Sequence, residues 1–254
     1  MLIVASLRAL ALSFLVVCLL PQAARAQSAQ DLVAKNLEAR GGAEKLAAIS
    51  SIQFTGKVTE PGDFELTYQE TRRRKDGAAL YHQSIEGLTL VQAYDGKIGW
   101  RINPFEGRKD AERMSVDDTR ALADDATIDG PLLTAKTHGS TITYLGREDF
   151  EGTNTYKLRL VDASGAEYAY YLDPDTYLEI KVVETRELRG AKQITLLELG
   201  DYEQVDGVYF PFDIESGAPD STSADRQKLV IDHAQANIPV PDTLFALPVS
   251  AGAK

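Results

Sequence analysis

Between residues 51 and 236 the apolar positions recur mostly at every second residue, the period of a strand whose two faces meet different surroundings. Ile52, Phe54 and Val58 share one face of the first such segment, which Gly56 interrupts. Phe64, Leu66 and Tyr68 continue the pattern after a Pro61-Gly62 turn, and segments at 80–86, 88–94 and 98–103 follow, joined at Gly87 and at Asp95-Gly96. A second series runs through 141–149, 155–161, 167–172, 178–186, 192–202, 208–215 and 227–236, with turn chemistry at Asp173-Pro174-Asp175-Thr176 and Val205-Asp206-Gly207. The alternation is cleanest where Val208, Phe210, Phe212 and Ile214 interleave with Tyr209, Pro211, Asp213 and Glu215, which predicts one apolar and one wet face. About 11–12 strands are too many for a flat open sheet, so the expected fold is mainly β, an antiparallel sheet that curls.

Helical patterning flanks and divides the strands. Residues 29–40 carry Leu32, Val33 and Leu37 among good helix formers, and Gly41-Gly42 provides the stop. Residues 43–49 make a second short helix with Leu46 and Ile49 on one face. The strand pattern breaks again over 104–139, where Ser115 followed by Asp118 predicts a capped helix to about Ala126, and Gly130-Pro131 precedes the short apolar segment Leu132-Leu133. This insertion divides the strands into two groups. No internal repeat or linker is visible, so residues 27–254 are expected to form a single domain.

The first 26 residues have another purpose. Arg8 precedes an apolar run over 9–20, then come Pro21 and Ala24-Arg25-Ala26, the pattern of a secretory signal peptide cleaved after Ala26. The run is shorter than the roughly 20 residues of a membrane-spanning helix, and no later stretch matches it. Leu15-Val16-Val17 before Cys18 lacks the small residue expected ahead of a lipidated cysteine, so no lipid anchor is predicted. Cleavage would remove the chain's single cysteine, leaving no thiol for disulfides, metal ligation or catalysis. The expected location is the periplasm of a bacterial envelope. Loss of Arg8 and Arg25 moves the formal charge from -11 to -13, which argues against nucleic acid or anionic headgroups as partners.

Catalytic and metal signatures are missing. His82, His138 and His233 lie far apart, and the pairs Asp117-Asp118, Asp124-Asp125 and Asp173 with Asp175 do not form a calcium loop. There is no nucleophile elbow, phosphate loop or zinc-protease helix. No catalytic residue, metal or cofactor is therefore expected, and the protein is read as a non-enzyme. The basic run Arg72-Arg73-Arg74-Lys75 is expected on an exposed strand edge, where charge discourages edge pairing.

Three tracts carry a resemblance: Asp31-Leu32-Val33 with Arg40-Gly41-Gly42-Ala43-Glu44-Lys45-Leu46, then Tyr94-Asp95-Gly96-Lys97-Ile98-Gly99-Trp100-Arg101-Ile102-Asn103-Pro104-Phe105, then Ile238-Pro239-Val240-Pro241-Asp242-Thr243-Leu244-Phe245. Together they resemble the periplasmic outer-membrane lipoprotein-sorting proteins of the LolA/LolB-like superfamily, over nearly the whole chain after residue 26. The resemblance implies an unclosed, strongly curved antiparallel β-barrel whose concave face is covered by helices, with an apolar cavity for acyl chains between them. On that footing the expected function is a periplasmic carrier or binding protein for lipoproteins or another lipid-like ligand. Phe54, Leu66, Tyr68, Leu90, Trp100 and Ile102 are the cavity candidates, with Trp100 near the ligand. An envelope sensor or interaction module with a protein partner is the alternative, and a hydrolase with a carboxylate or histidine site the third reading. N-terminal sequencing of protein from the envelope fraction should begin at Gln27; an intact Met1, or lipid on Cys18, would contradict the cleavage site.

Overall fold

The computed structural model describes residues 27–248; the expected signal peptide and Cys18 lie outside them. Helices α1 (Ala29–Ala39) and α2 (Ala43–Ala48) come first. Ser28 caps α1 through its hydroxyl, which accepts from the Asp31 amide, while the Asp31 carboxylate accepts from the Ser28 backbone. Gly41 separates the helices at φ +120, and a Cβ there would stand 2.3 Å from the Gly207 carbonyl oxygen. Only glycine permits that approach.

A first meander follows: β1 (Ser51–Glu60), β2 (Phe64–Arg73), β3 (Ala78–Ile85), β4 (Leu88–Tyr94), β5 (Gly99–Ile102) and the two-residue β6 (Glu112–Arg113). Next come α3 (Val116–Asp125) and α4 (Pro131–Thr134). The second meander comprises β7 (Thr141–Phe150), β8 (Thr153–Val161), β9 (Glu167–Leu172), β10 (Glu179–Leu188), β11 (Ala191–Val205), β12 (Val208–Gly217) and β13 (Gln227–Ala236). The strand beyond the expected twelve is β6, too short to leave a periodic signal, which exists because Arg113 and Glu112 pair with Trp100 and Arg101.

All thirteen strands form one antiparallel sheet in the order β6-β5-β4-β3-β2-β1-β13-β12-β11-β10-β9-β8-β7. The two meanders are joined in the middle by β1 and β13, and the sheet stays open because its edges, β6 and β7, do not pair. Gly56 sits at a bulge against β13, where a Cβ would stand 2.0 Å from the Val230 carbonyl oxygen. The interruption in the sequence pattern thus marks a close strand contact.

Cross-strand partners share a face, so the register assigns sides. Phe54 pairs with Glu70, Val58 with Leu66, and Tyr68 with Gln83, which in turn pairs with Leu90. This is the side covered by helices: a Cβ on Gly99, which pairs with Tyr94, would meet Thr119 of α3. Two apolar clusters fill that side. One gathers Leu32, Leu132, Leu158, Leu160 and Leu172, the other Leu46, Ile52, Phe54, Phe210 and Phe212. A third cluster of Leu80, Ala93, Trp100 and Phe245 lies on the opposite face beneath the C-terminal segment.

Val208, Phe210 and Phe212 are buried and Ile214 is half-buried, as the alternation in β12 requires. Replacing Phe212, 7 % exposed, by alanine should cost about 3 to 5 kcal/mol in denaturant unfolding; a wild-type midpoint would show that its ring is not packed.

Candidate functional site

Between the central strands and the helical cover lies a cavity of about 210 Å³. Phe54, Ile128, Leu199, Phe210, Ile214, Leu229 and Ile231 make its walls apolar, and Phe54 meets Phe210 edge to face with centroids 5.6 Å apart. A larger cleft of about 360 Å³ beside α3 is lined chiefly by Asp117, Arg120, Asp124, Arg186 and Glu187 and offers an acyl chain little apolar surface.

The roof is the segment between α3 and α4. Arg40, which ends α1, donates from Nη1 to the Asp129 carbonyl at 3.0 Å and from Nε to the Tyr209 carbonyl at 3.4 Å. Arg72 donates to the Thr127 carbonyl at 3.1 Å. Arg74 grips the Asp129 carboxylate through two bonds of 2.6 and 2.7 Å and also donates to the Ile49 and Leu46 carbonyls. Three guanidinium groups thus converge on Thr127, Ile128 and Asp129. Farther along, Arg189 bonds Asp118 at 2.6 Å and Arg186 bonds Asp125 at 3.2 Å, so α3 is fastened to the second meander. The Arg189 hydrogen bond holds the Asp118 carboxyl below its ordinary range.

These contacts correct the expectation for the basic run. It does not lie on a sheet edge, because β2 is interior, between β1 and β3. Arg72 and Arg74 reach the helical cover, whereas Arg73 and Lys75 both bond Asp242 on the opposite face. Arg73 also stacks 4.8 Å from the Phe245 ring centroid. The charge run was visible in the sequence, but its partners lie too far along the chain to be read from it.

Of the cavity candidates, Phe54 and Tyr68 line the wall. Leu66 and Leu90 share their face but not the cavity lining. Trp100 and Ile102 project to the other side, since they pair with Ala93 and Val91, neighbours of the residues facing the helices. Trp100 is 4 % exposed and donates from Nε1 to the Phe245 carbonyl at 2.8 Å. It therefore fastens the C-terminal segment, and the structure does not bring it to this cavity. The sequence reading missed Arg40, Glu70, Arg72, Glu179 and Tyr202, all of which line it.

Of the polar groups, Tyr68, Glu70 and Glu179 are buried and Arg72 and Tyr202 half-buried. The Tyr68 hydroxyl donates to Glu70 at 2.8 Å, and Arg72 Nε donates to the other carboxylate oxygen of Glu70. Burial alone would lower the Arg72 pKa, but the adjoining Glu70 carboxylate raises it above its ordinary value. The Tyr202 hydroxyl donates to the Glu179 carbonyl at 2.7 Å. Burial, then neighbouring carboxylates, hold Tyr68, Tyr81, Tyr170 and Tyr202 well above the ordinary phenol range.

The chain is similar to a LolA superfamily protein from Nitrosomonas europaea at 14% identity and TM-score 0.58, covering 87% of this chain and 98% of that one. It is similar to a domain described as an outer membrane lipoprotein-sorting protein from Vibrio parahaemolyticus at 13% identity and TM-score 0.54, covering 84% and 97%. A DUF1329 family protein from Desulfovibrio piger gives 10% identity and TM-score 0.54, covering 86% and 97%. No family model and no curated sequence matches the chain. At such identities the likeness concerns the fold, which is LolA-like.

The buried tyrosines lead to an alkaline prediction. A phenol whose pKa is raised by folding contributes stability that is fully present below its unfolded value of about 10 and lost as pH climbs beyond it. The tyrosinate absorbance of Tyr68, Tyr81, Tyr170 and Tyr202 should rise only together with loss of near-ultraviolet circular dichroism. Smooth titration of all eleven tyrosines near pH 10 in a folded protein would contradict the burial.

Proposed function

We propose that residues 27–254 act as one periplasmic binding or carrier unit for an acyl-chain ligand, such as that of a lipoprotein or another lipid, and perform no catalysis. The observation carrying this reading is the apolar cavity between the sheet and its helical cover, with Phe54, Phe210, Leu229 and Ile231 among its walls. Moving a hydrocarbon chain out of water is favourable by about 0.8 kcal/mol per CH₂, so such walls bind without bond-making chemistry. The likeness in fold to a domain described as lipoprotein-sorting supports the same reading. Among the described residues, no helix is long and apolar enough to cross a membrane.

Size sets the mechanism. Sites for drug-sized ligands span roughly 300 to 1,000 Å³, so 210 Å³ accommodates the end of one chain rather than a whole lipid. Admission of more requires α3 and α4 to lift. The bonds holding the roof at Thr127 and Asp129 are the ones that must yield, and they join carbonyls and a carboxylate to guanidinium groups that stay anchored on α1 and β2.

Titration with a dansyl-labelled fatty acid methyl ester should give a saturable rise in probe emission. Leu229→Trp should fill the cavity and abolish the response with the thermal midpoint retained. Absence of any saturable response in the wild type would overturn the binding reading; an undiminished response in Leu229→Trp would put the ligand elsewhere.

A further inference from the structure

The cavity wall carries two buried opposite charges that do not meet. Arg40 is 8 % exposed, and among the described residues no carboxylate stands within ion-pair distance of it. Its Nε and Nη1 donate to the backbone carbonyls of Tyr209 and Asp129, and its guanidinium stacks 5.4 Å from the Phe210 ring centroid. Nη2 has no hydrogen-bond partner among the described residues. Glu179, at the start of β10, is 7 % exposed and has no cationic partner within ion-pair distance among the described residues. Its side chain receives only a long contact of 3.4 Å from the Tyr202 hydroxyl, whose shorter bond goes to the Glu179 backbone. Both residues line the same cavity.

Residues this buried that carry a charge are ordinarily paired, because an unpaired ion loses part of its hydration. The third charged element of the wall differs in this respect: Arg72 and Glu70 satisfy one another, and Tyr68 occupies the second Glu70 oxygen. The uncommitted capacity is therefore a donor on Arg40 and an acceptor on Glu179, both on the wall of one cavity. A bare acid would place its negative charge against Glu179, and an ester would satisfy Arg40 but leave Glu179 without a donor.

We infer that the ligand is an acyl amide, whose carbonyl accepts from Arg40 and whose N–H donates to Glu179, with its hydrocarbon chain along Phe54, Leu229 and Ile231. This rests on the acyl-binding reading above and specifies the polar group that the cavity selects. A charge-assisted hydrogen bond is stronger than a neutral one and is lost whole when its partner is removed.

Calorimetric titration with N-methyldodecanamide and N,N-dimethyldodecanamide tests the assignment, since the two share a chain and a carbonyl and differ in the N–H. The monomethyl amide should bind about tenfold tighter or more. Glu179→Leu should abolish that preference while retaining affinity for the dimethyl amide, and Arg40→Met should weaken both amides alike. Equal affinity of the wild type for the two amides overturns the amide assignment and leaves the acyl-binding reading standing. Binding of neither amide, nor of the labelled ester, overturns both. The wild-type comparison is decisive by itself should a variant fail to fold.

Discussion

The chain must pass from β6 to β7, which form opposite edges of a thirteen-stranded open sheet, and it makes that passage across one face through α3 and α4. Everything specific about the molecule depends on this crossing. It places a short helical cover over the central strands, gives the sheet a dry side, and leaves a space where the cover is too thin to fill the curvature. Ile128, Leu132 and Leu133 supply the apolar contacts of the crossing to the two clusters on that side.

Apolar contact alone would not seat so short a cover, because α4 has four residues and α3 ten. Isolated helices of that length are marginal in water. Cations from the sheet and from α1 compensate. Arg72 and Arg74, at the end of β2, and Arg40, at the end of α1, reach the same three-residue roof, while Arg73 and Lys75 hold Asp242 of the C-terminal segment on the other face. One run of four positive residues thereby fastens both coverings of the sheet. Surface ion pairs contribute little, but the partly buried two-bond grip of Arg74 on Asp129 belongs to the stronger class.

The same arrangement explains a cavity that is apolar by area yet contains charge. The Arg72 and Glu70 pair completes itself and belongs to the roof, whereas Arg40 and Glu179 face the void without a charged partner. Arg40 therefore both fastens the roof and lines the void. Lifting the roof would take the Asp129 carbonyl from Arg40, so admission of a ligand and exposure of the Arg40 donors are linked in one movement.

The sequence by itself determined the local order. Two-residue periodicity located twelve of the thirteen strands, Ser115 marked a helix start, Gly41-Gly42 a helix stop, and Gly56 a break in a strand. These features are legible because their causes lie within a few residues. Alternation divides a strand into two faces but does not say which face a distant segment will cover, which is why Trp100, read as a cavity residue, belongs instead to the face held by Phe245. Nor could the partners of the basic run be read. Arg74 meets Asp129 55 positions later and Arg73 meets Asp242 169 positions later, and only the paths of the chain across and around the sheet bring them together. The cavity and its two unmatched charges are likewise products of tertiary packing, because α1, the roof and β10 supply them from separate parts of the chain.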